Sequence, residues 1–252
     1  MAVLITGYKG FIGQNMMSAL PNSAGYEWGD GAVSLEGITR VIHLGAISST
    51  ACADWGMLYE QNIRFSIDLI SACADRRIPV QFASSASVYG ANATTFCETE
   101  TPNPQSLYAK SKRAVEEFVL GKSWRVPVQM FRYFNVYGQH EDHKDQPSPH
   151  ARFRRQALET GCIEVFEGSE DIRRDFVPVE RVIDVHKCFF DLNETGVYNL
   201  GTGEAVSFMD VAQSVALETN ARVVTVPMPD ISGYQRHTQA DMTKTHSALG
   251  RR

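Results

Sequence analysis

Ala2-Val3-Leu4-Ile5-Thr6-Gly7-Tyr8-Lys9-Gly10-Phe11-Ile12-Gly13 is a short apolar run that breaks on three evenly spaced glycines. Ala2 to Thr6 reads as a buried parallel strand, and Gln14 to Leu20 as the helix after the turn. Each glycine has a steric task at such a strand–helix junction. Gly7 permits the tight turn, Gly10 lets backbone approach a pyrophosphate, and Gly13 allows close helix packing. The anion then lies at a helix N-terminus, where free N–H groups and the dipole favour negative charge. The spacing is GxxGxxG, not GxGxxG. A glycine turn without ligand is the plain alternative, and the position between strand and helix favours a dinucleotide site over it.

Outward from this turn, apolar runs alternate with amphipathic stretches. Val41 to Leu44, Pro79 to Ala83 and Val128 to Phe131 read as strands. Leu58 to Arg76 and Leu107 to Leu120 read as helices. The alternation predicts an α/β, Rossmann-type, doubly wound parallel sheet. Residues 1–138 form its dinucleotide-binding domain. Residues 139–252 form mainly a smaller C-terminal α/β substrate lobe, with some later segments returning to the sheet. The sheet is shortened in its first half. Only 27 residues, Gln14 to Arg40, lie between Gly13 and the strand at Val41, too few for a complete β-α-β-α-β start. A helix and a strand are therefore expected to be missing there, with one short strand near Tyr26-Glu27-Trp28. That region ordinarily carries the acidic residue for the adenosine ribose. His140 to Pro149 is polar and Pro-containing, as expected of a loop over a site.

Composition narrows the function. The chain has 252 residues, 43% apolar and 21% charged, with net charge −5. No basic block interleaves with aromatics, so nucleic acid is not expected as a partner. No apolar run approaches the ~18 residues that span a bilayer. The first residues enter a strand and lack a signal-peptide pattern, so a cytoplasmic, membrane-free protein is expected. The five cysteines are scattered, form no CxxC, and read as reduced thiols. His140-Glu141-Asp142-His143 lacks further ligand spacing and reads as solvated loop, so no metal is expected. A homo-oligomer is expected.

Tyr108-Ala109-Lys110-Ser111-Lys112 carries the chemistry. Tyr and Lys four apart share a helix face. An ammonium beside the phenol would favour phenolate and bring a pKa near 10 toward the range of a general base. A lone YxxxK is common in helices. Here it follows the glycine turn and a serine-bearing strand end, Ser84-Ser85-Ala86-Ser87-Val88-Tyr89-Gly90, in the order of a Tyr-dependent oxidoreductase. Ser84, Ser85 and Ser87 are rivals for hydrogen bonding a substrate oxygen, against plain capping of the strand end. Lys9 either meets the 2′-phosphate of NADP or is a solvated turn lysine. Glu27 or Asp30 would instead hold a free ribose diol and favour NAD. Arg173-Arg174-Asp175 suits a diphosphate, against a surface ion pair. Arg152, Arg154 and Arg155 read as the surface of a helix.

With these residues in place, the chain resembles the extended short-chain dehydrogenase/reductase superfamily. Within it, the chain is most similar to the ADP-L-glycero-D-manno-heptose 6-epimerase family. The resemblance covers Met1 to about Gly250 with one internal gap. It rests on His43-Leu44-Gly45-Ala46-Ile47-Ser48-Ser49-Thr50, Phe131-Arg132-Tyr133-Phe134-Asn135-Val136-Tyr137-Gly138 and Phe166-Glu167-Gly168-Ser169-Glu170 through Arg174-Asp175-Phe176-Val177. Tyr198-Asn199-Leu200-Gly201-Thr202-Gly203 and Thr238-Gln239-Ala240-Asp241 complete it. The resemblance implies Ser85, Tyr108, Lys112 and Lys144 as catalytic residues, Lys144 being the second acid/base group. It implies cofactor contacts from Gly7, Lys9, Gly10, Phe11, Ile12, Gly13, Leu44, Gly45, Ala46, Ser48, Asn62, Tyr108 and Lys112. It implies contacts to a nucleotide-diphosphate sugar from Ser85, Asn135, Phe166, Glu167, Gly168, Ser169, Arg174 and Tyr234. The implied cofactor is NADP or NAD, with NADP preferred on the strength of Lys9. The implied reaction is epimerisation by transient oxidation. Other nucleotide-sugar 4-epimerases or dehydratases, and a non-catalytic dinucleotide-binding protein, are the alternatives. Three departures stand out: the short segment after Gly13, the loop Asp145-Gln146-Pro147-Ser148-Pro149-His150, and an early C-terminus.

Overall fold

The computed structural model describes residues 2–90, 94–141, 144, 146–229 and 235–250. In chain order the strands are β1 (Val3–Thr6), β2 (Ser23–Tyr26), β3 (Arg40–His43), β4 (Val80–Ser85), β5 (Thr95–Phe96), β6 (Val128–Tyr133) and β7 (Asn135–Tyr137). They continue as β8 (Cys162–Phe166), β9 (Arg173–Arg174), β10 (Phe176–Pro178), β11 (Gly196–Leu200), β12 (Val206–Ser207), β13 (Arg222–Val226) and β14 (His237–Ala240). The helices are α1 (Phe11–Ala19), α2 (Trp55–Leu58), α3 (Phe65–Asp75), α4 (Leu107–Leu120), α5 (Pro149–Thr160), α6 (Val179–Cys188), α7 (Phe208–Thr219) and α8 (Thr243–Ala248).

Six parallel strands build the main sheet in the order β11-β6-β4-β3-β1-β2. The order turns back between β1 and β3, which both pair with neighbours in parallel register: Val3 with Arg40, and Val41 with Val80. Such a switch point leaves a crevice outside the strand ends, where ligands of open α/β sheets bind. Compared with the doubly wound order 3-2-1-4-5-6, the outermost strand beyond β2 is absent. From Glu27 to Thr39 the chain has neither helix nor strand. The short segment keeps a strand, Ser23–Tyr26, three residues ahead of the one expected near Trp28. Val33, Leu35 and Ile38 replace the absent helix by packing on the sheet core of Leu4, Val41, Ile70, Phe82 and Met130. The expected helix from Leu58 to Arg76 is present as one continuous helical run, α2 passing through a π-helical segment, Tyr59–Arg64, into α3. β11, from the C-terminal half, closes the far edge of the sheet on β6.

The remaining strands pair in small sets, β10 with β7, β13 with β8, and β12-β9-β14-β5. A second core of Phe153, Ile163, Val165, Phe176, Val211 and Val215 holds α5 and α7 against them. Asp175 ties the two parts. Fully buried, it accepts from the N–H groups of Thr202, Gly203 and Ala240 and from the Thr202 hydroxyl. It is therefore not an ion-pair partner of Arg173 or Arg174. Among the described residues no helix is long and apolar enough to cross a membrane.

Candidate active site

The glycine turn is held by sterics that no other residue meets. Gly7 has φ +72°, and a Cβ there would lie 2.8 Å from the Gly45 nitrogen. A Cβ on Gly13 would lie 2.1 Å from the Gly7 carbonyl oxygen. Backbone thus crowds backbone, and α1 starts at Phe11 with Gly10 as its N-cap and no side chain over its first N–H groups. This is the open anion cradle a dinucleotide pyrophosphate requires. The residues present therefore fit the cofactor.

A cleft of about 420 Å³ runs from this turn along the strand ends. It is lined by Gly7, Gly10, Phe11, Ile12 and Gly13, then by Leu44, Ser48, Ser85, Tyr108 and Lys112, and beyond them by Asn135, Lys144 and Arg174. Ser84 borders the cleft but commits its hydroxyl to Glu116, which also binds Arg132 through two contacts of 2.9 and 2.7 Å. Ser87 donates to Ser85 by both its N–H, at 3.2 Å, and its hydroxyl, at 3.0 Å. Those two bonds leave the Ser85 hydrogen for the cleft, and the Ser85 hydroxyl bonds the Tyr108 phenol.

Lys112 departs from expectation. Its ammonium donates to the Ala83 carbonyl at 2.8 Å and lies 5.9 Å from the Tyr108 ring centroid. Burial pushes its pKa down to about 7. Burial also raises the Tyr108 pKa, opposed by the Ser85 hydrogen bond. The expected lowering of the phenol by Lys112 is thus absent from the free protein, because the strand carbonyl competes for the ammonium and desolvation dominates.

Lys144 reaches the same cleft from the loop, 3.4 Å from Glu141 and 4.8 Å from the Phe11 ring centroid. Glu141 is buried and accepts from the Gly138 N–H and from the Ser148 N–H and hydroxyl, so its carboxylate ties Gly138 to the start of α5. Among the described residues no cluster of His, Cys, Asp or Glu forms a metal site. Asp142 and His143, and the expected substrate contact Tyr234, lie outside the described residues.

Several expected contacts sit elsewhere. Asn62 is buried and clamps the Ile47 N–H and carbonyl and the Ser111 hydroxyl, so it shapes the loop after β3 and does not line the cleft. Gly45 and Ala46 do not line it either; Gly45 contributes its backbone against Gly7. Lys9 is exposed over the Tyr8 ring, and its N–H donates to the Glu27 carboxylate at 2.6 Å. Asp30 in turn accepts from the Glu27 N–H at 2.8 Å. Two carboxylates therefore cluster at the end of β2, beside the turn.

Phe166 and Ser169 line a neighbouring cavity of about 240 Å³ with Arg152, Phe208 and the loop prolines Pro147 and Pro149. Glu167 and Gly168 do not line it; Glu167 is exposed and its N–H binds the Val226 carbonyl. Arg174 stands between the two spaces. It lines the cleft, lies 5.8 Å from the Phe208 ring centroid, and is braced on the carbonyls of Arg173 and Gln235. Arg152 is exposed, as expected of a surface residue, and it also borders the cavity, 6.0 Å from the Phe166 ring centroid. Thr238 lines the cleft with a buried hydroxyl that has no partner among the described residues. The sequence gives neither a site role: Arg152 reads as helix surface, and Thr238 stands only within a stretch that carries the resemblance.

The NAD dependent epimerase/dehydratase family matches residues 28–201. The chain belongs to that family. Among solved structures, it is similar to ADP-L-glycero-D-manno-heptose-6-epimerase of Helicobacter pylori, with TM-score 0.86 and 24% identity over 99% of this chain and 90% of that one. It is similar to MoeE5 in complex with UDP-glucuronic acid and NAD, with TM-score 0.84 and 28% identity over 99% and 93%. It is also similar to UDP-glucose 4-epimerase of Thermus thermophilus in complex with NAD, with TM-score 0.83 and 27% identity over 100% and 94%. The family assignment and the glycine cradle agree on an NAD-type dinucleotide and a Rossmann-type epimerase fold.

Proposed function

We propose that this protein is a nucleotide-sugar epimerase that oxidises and re-reduces its sugar at one carbon. The observation that carries this reading is the single cleft joining the glycine cradle, the Ser85–Tyr108–Lys112 group and Arg174. NAD, held by Gly7, Gly10, Gly13, Phe11 and Ile12, would supply the reversible hydride chemistry. Tyr108 takes the proton of the sugar hydroxyl and returns it. Ser85, whose hydroxyl bonds the Tyr108 phenol in the free protein, turns to steady the same oxygen when the sugar binds. Lys112 is buried, and its pKa near 7 lets it tune charge beside Tyr108 at neutral pH. Epimerisation presents the oxidised sugar in two orientations, and Lys144 is the second acid/base group for the other one. Arg174 binds the diphosphate, and the cavity of Phe166, Phe208 and Arg152 takes the base.

The preference for NADP is revised to NAD. The Glu27 and Asp30 carboxylates at the end of β2 repel a 2′-phosphate and suit a ribose diol, while the Lys9 ammonium lies over the Tyr8 ring. For the sugar, the FEGSE-to-RDFV and TQAD stretches support an ADP-glycero-manno-heptose and inversion at C6. A UDP-hexose is the second reading, favoured by the 27–28% identity to proteins solved with UDP-sugars or NAD. The test is turnover of ADP-heptose and of UDP- and GDP-hexoses, with NAD and NADP in parallel, followed by NMR of the products. Inversion of ADP-heptose at C6 with NAD is expected. Turnover restricted to a UDP-sugar would replace the heptose reading, and an NADP requirement would overturn the role given to Glu27.

A further inference from the structure

The pleat of the main sheet sorts its buried polar residues. On β4 and β6, Ser84 and Arg132 turn toward α4 and meet at Glu116. Gln81, paired in register with Gln129, turns to the opposite face and meets α6 at His186. The hydrogen bonds on that face have one direction. The Gln129 side-chain nitrogen donates to the Phe189 and Leu192 carbonyls at 3.1 and 2.7 Å. Carbonyls only accept, so the other Gln129 atom, Oε1, is the acceptor. Gln81 Nε2 donates to it at 2.9 Å and to the His186 carbonyl at 3.0 Å. Gln81 Oε1 is then left to accept from His186 Nδ1 at 2.8 Å. His186 is fully buried, and burial holds its pKa down to about 3, so the ring is neutral at pH 7. With the hydrogen on Nδ1, Nε2 carries a bare lone pair. Tyr133 Oη lies 2.6 Å from that nitrogen and must donate to it.

The one hydrogen of the Tyr133 hydroxyl is therefore committed inside the protein. Yet Tyr133 lines the catalytic cleft with Tyr108 and pairs in register with Ser85, the serine whose hydroxyl bonds the Tyr108 phenol, and, beyond burial, charge on Tyr108 raises the Tyr133 pKa further. We propose that Tyr133 is a positioning residue for Tyr108: with its hydrogen locked onto His186, it turns only oxygen lone pairs toward the cleft, favours the protonated phenol and denies the phenolate a second donor. Tyr108 then has a donor in Ser85 and shares the cleft with an oxygen, Tyr133 Oη, that has no hydrogen to offer. The cations that line the same cleft are Lys112 on its own helix, Lys144 from the loop after β7 and Arg174 from β9, and burial outweighs them at Tyr108. On the far side Tyr133 packs in a core that includes Val182 and Val185 of α6, and among the described residues its polar partner there is His186. The inference rests on the acid–base role given to Tyr108, but its test needs no substrate.

The test is a pH titration of phenolate absorbance in the ligand-free protein, with Tyr108 isolated as the difference from a Tyr108→Phe counterpart. Tyr133→Phe removes the facing lone pairs and is expected to lower the Tyr108 midpoint by about one pH unit. His186→Leu frees the Tyr133 hydrogen to donate to the phenolate, and an equal or larger drop is expected. A midpoint that rises in Tyr133→Phe would mean that Tyr133 donates to Tyr108, and overturns the proposal; so does an unchanged midpoint. A merely structural Tyr133 would alter stability and leave the midpoint in place. If His186→Leu fails to fold, nitrogen NMR of the intact protein reads the same point. Hydrogen on Nδ1 of His186 is expected, and hydrogen on Nε2 overturns it. Absence of turnover on every sugar nucleotide would refute the proposed function and leave this titration unmoved.

Discussion

Arg174 shows how one side chain acquires a role from its braces. Its guanidinium is fixed on two backbone carbonyls, and it sits where the cleft meets the Phe208 cavity. Arg174→Ala should raise the sugar-nucleotide KM by roughly tenfold to a hundredfold, the worth of a charge-assisted contact. NAD affinity by calorimetry should stay within a few fold. A loss confined to NAD would assign the residue to the other ligand. At this scale, residue types and spacings show which groups can do chemistry, and not where they aim. Lys112 and Tyr108 share a helix face as their spacing requires. The Lys112 ammonium nevertheless goes to Ala83, a carbonyl on a different element. Asn62 spends its amide on Ile47 and Ser111, and Tyr133 spends its hydrogen on His186. All three outcomes depend on partners brought close only by the tertiary fold.

The element that most depends on sequence detail is the β1–α1 junction. A Cβ at position 13 would fall 2.1 Å from the Gly7 carbonyl oxygen, so Gly13→Ala must push α1 away from the turn. The variant should lose NAD binding at least tenfold and unfold at lower denaturant. Equal NAD affinity in calorimetry would show that the cradle is not the pyrophosphate site. This junction is legible from sequence because the glycines act locally. The doubly wound alternation is equally legible, since parallel buried strands read as apolar runs. The segment after β2 is less so. Its shortness announces a missing strand. Only the structure reveals that Val33, Leu35 and Ile38 cover the exposed face, and that Glu27 and Asp30 close on the turn. The π-helical turn at Tyr59–Arg64 leaves no mark on apolar periodicity.

For the whole molecule, buried histidines set a pH dependence of stability. Burial holds His43 and His186 near pKa 3 and His150 near 4. Unfolded histidine protonates near 6.5. Between about pH 6.5 and 3 the unfolded chain therefore binds more protons, and stability falls as pH falls. Each histidine contributes about 1.4 kcal/mol per pH unit to that slope. His43 lies between the Thr6 and Ser66 hydroxyls and is remote from solvent. His43→Asn should lower the slope of unfolding free energy between pH 6 and 4.5 by about 1.4 kcal/mol per pH unit. An unchanged slope in urea titrations would mean that His43 is protonated in the fold. The central claim is that one phenol, set over a dinucleotide cradle, performs the proton transfers of a sugar-nucleotide epimerisation. It is tested most directly by comparing wild type with Tyr108→Phe on whichever sugar nucleotide turns over, with NAD binding measured on both. Turnover should fall by at least the ~10²–10⁴-fold typical of a lost acid–base group, with NAD affinity within a few fold. Near-full activity in Tyr108→Phe would contradict the account.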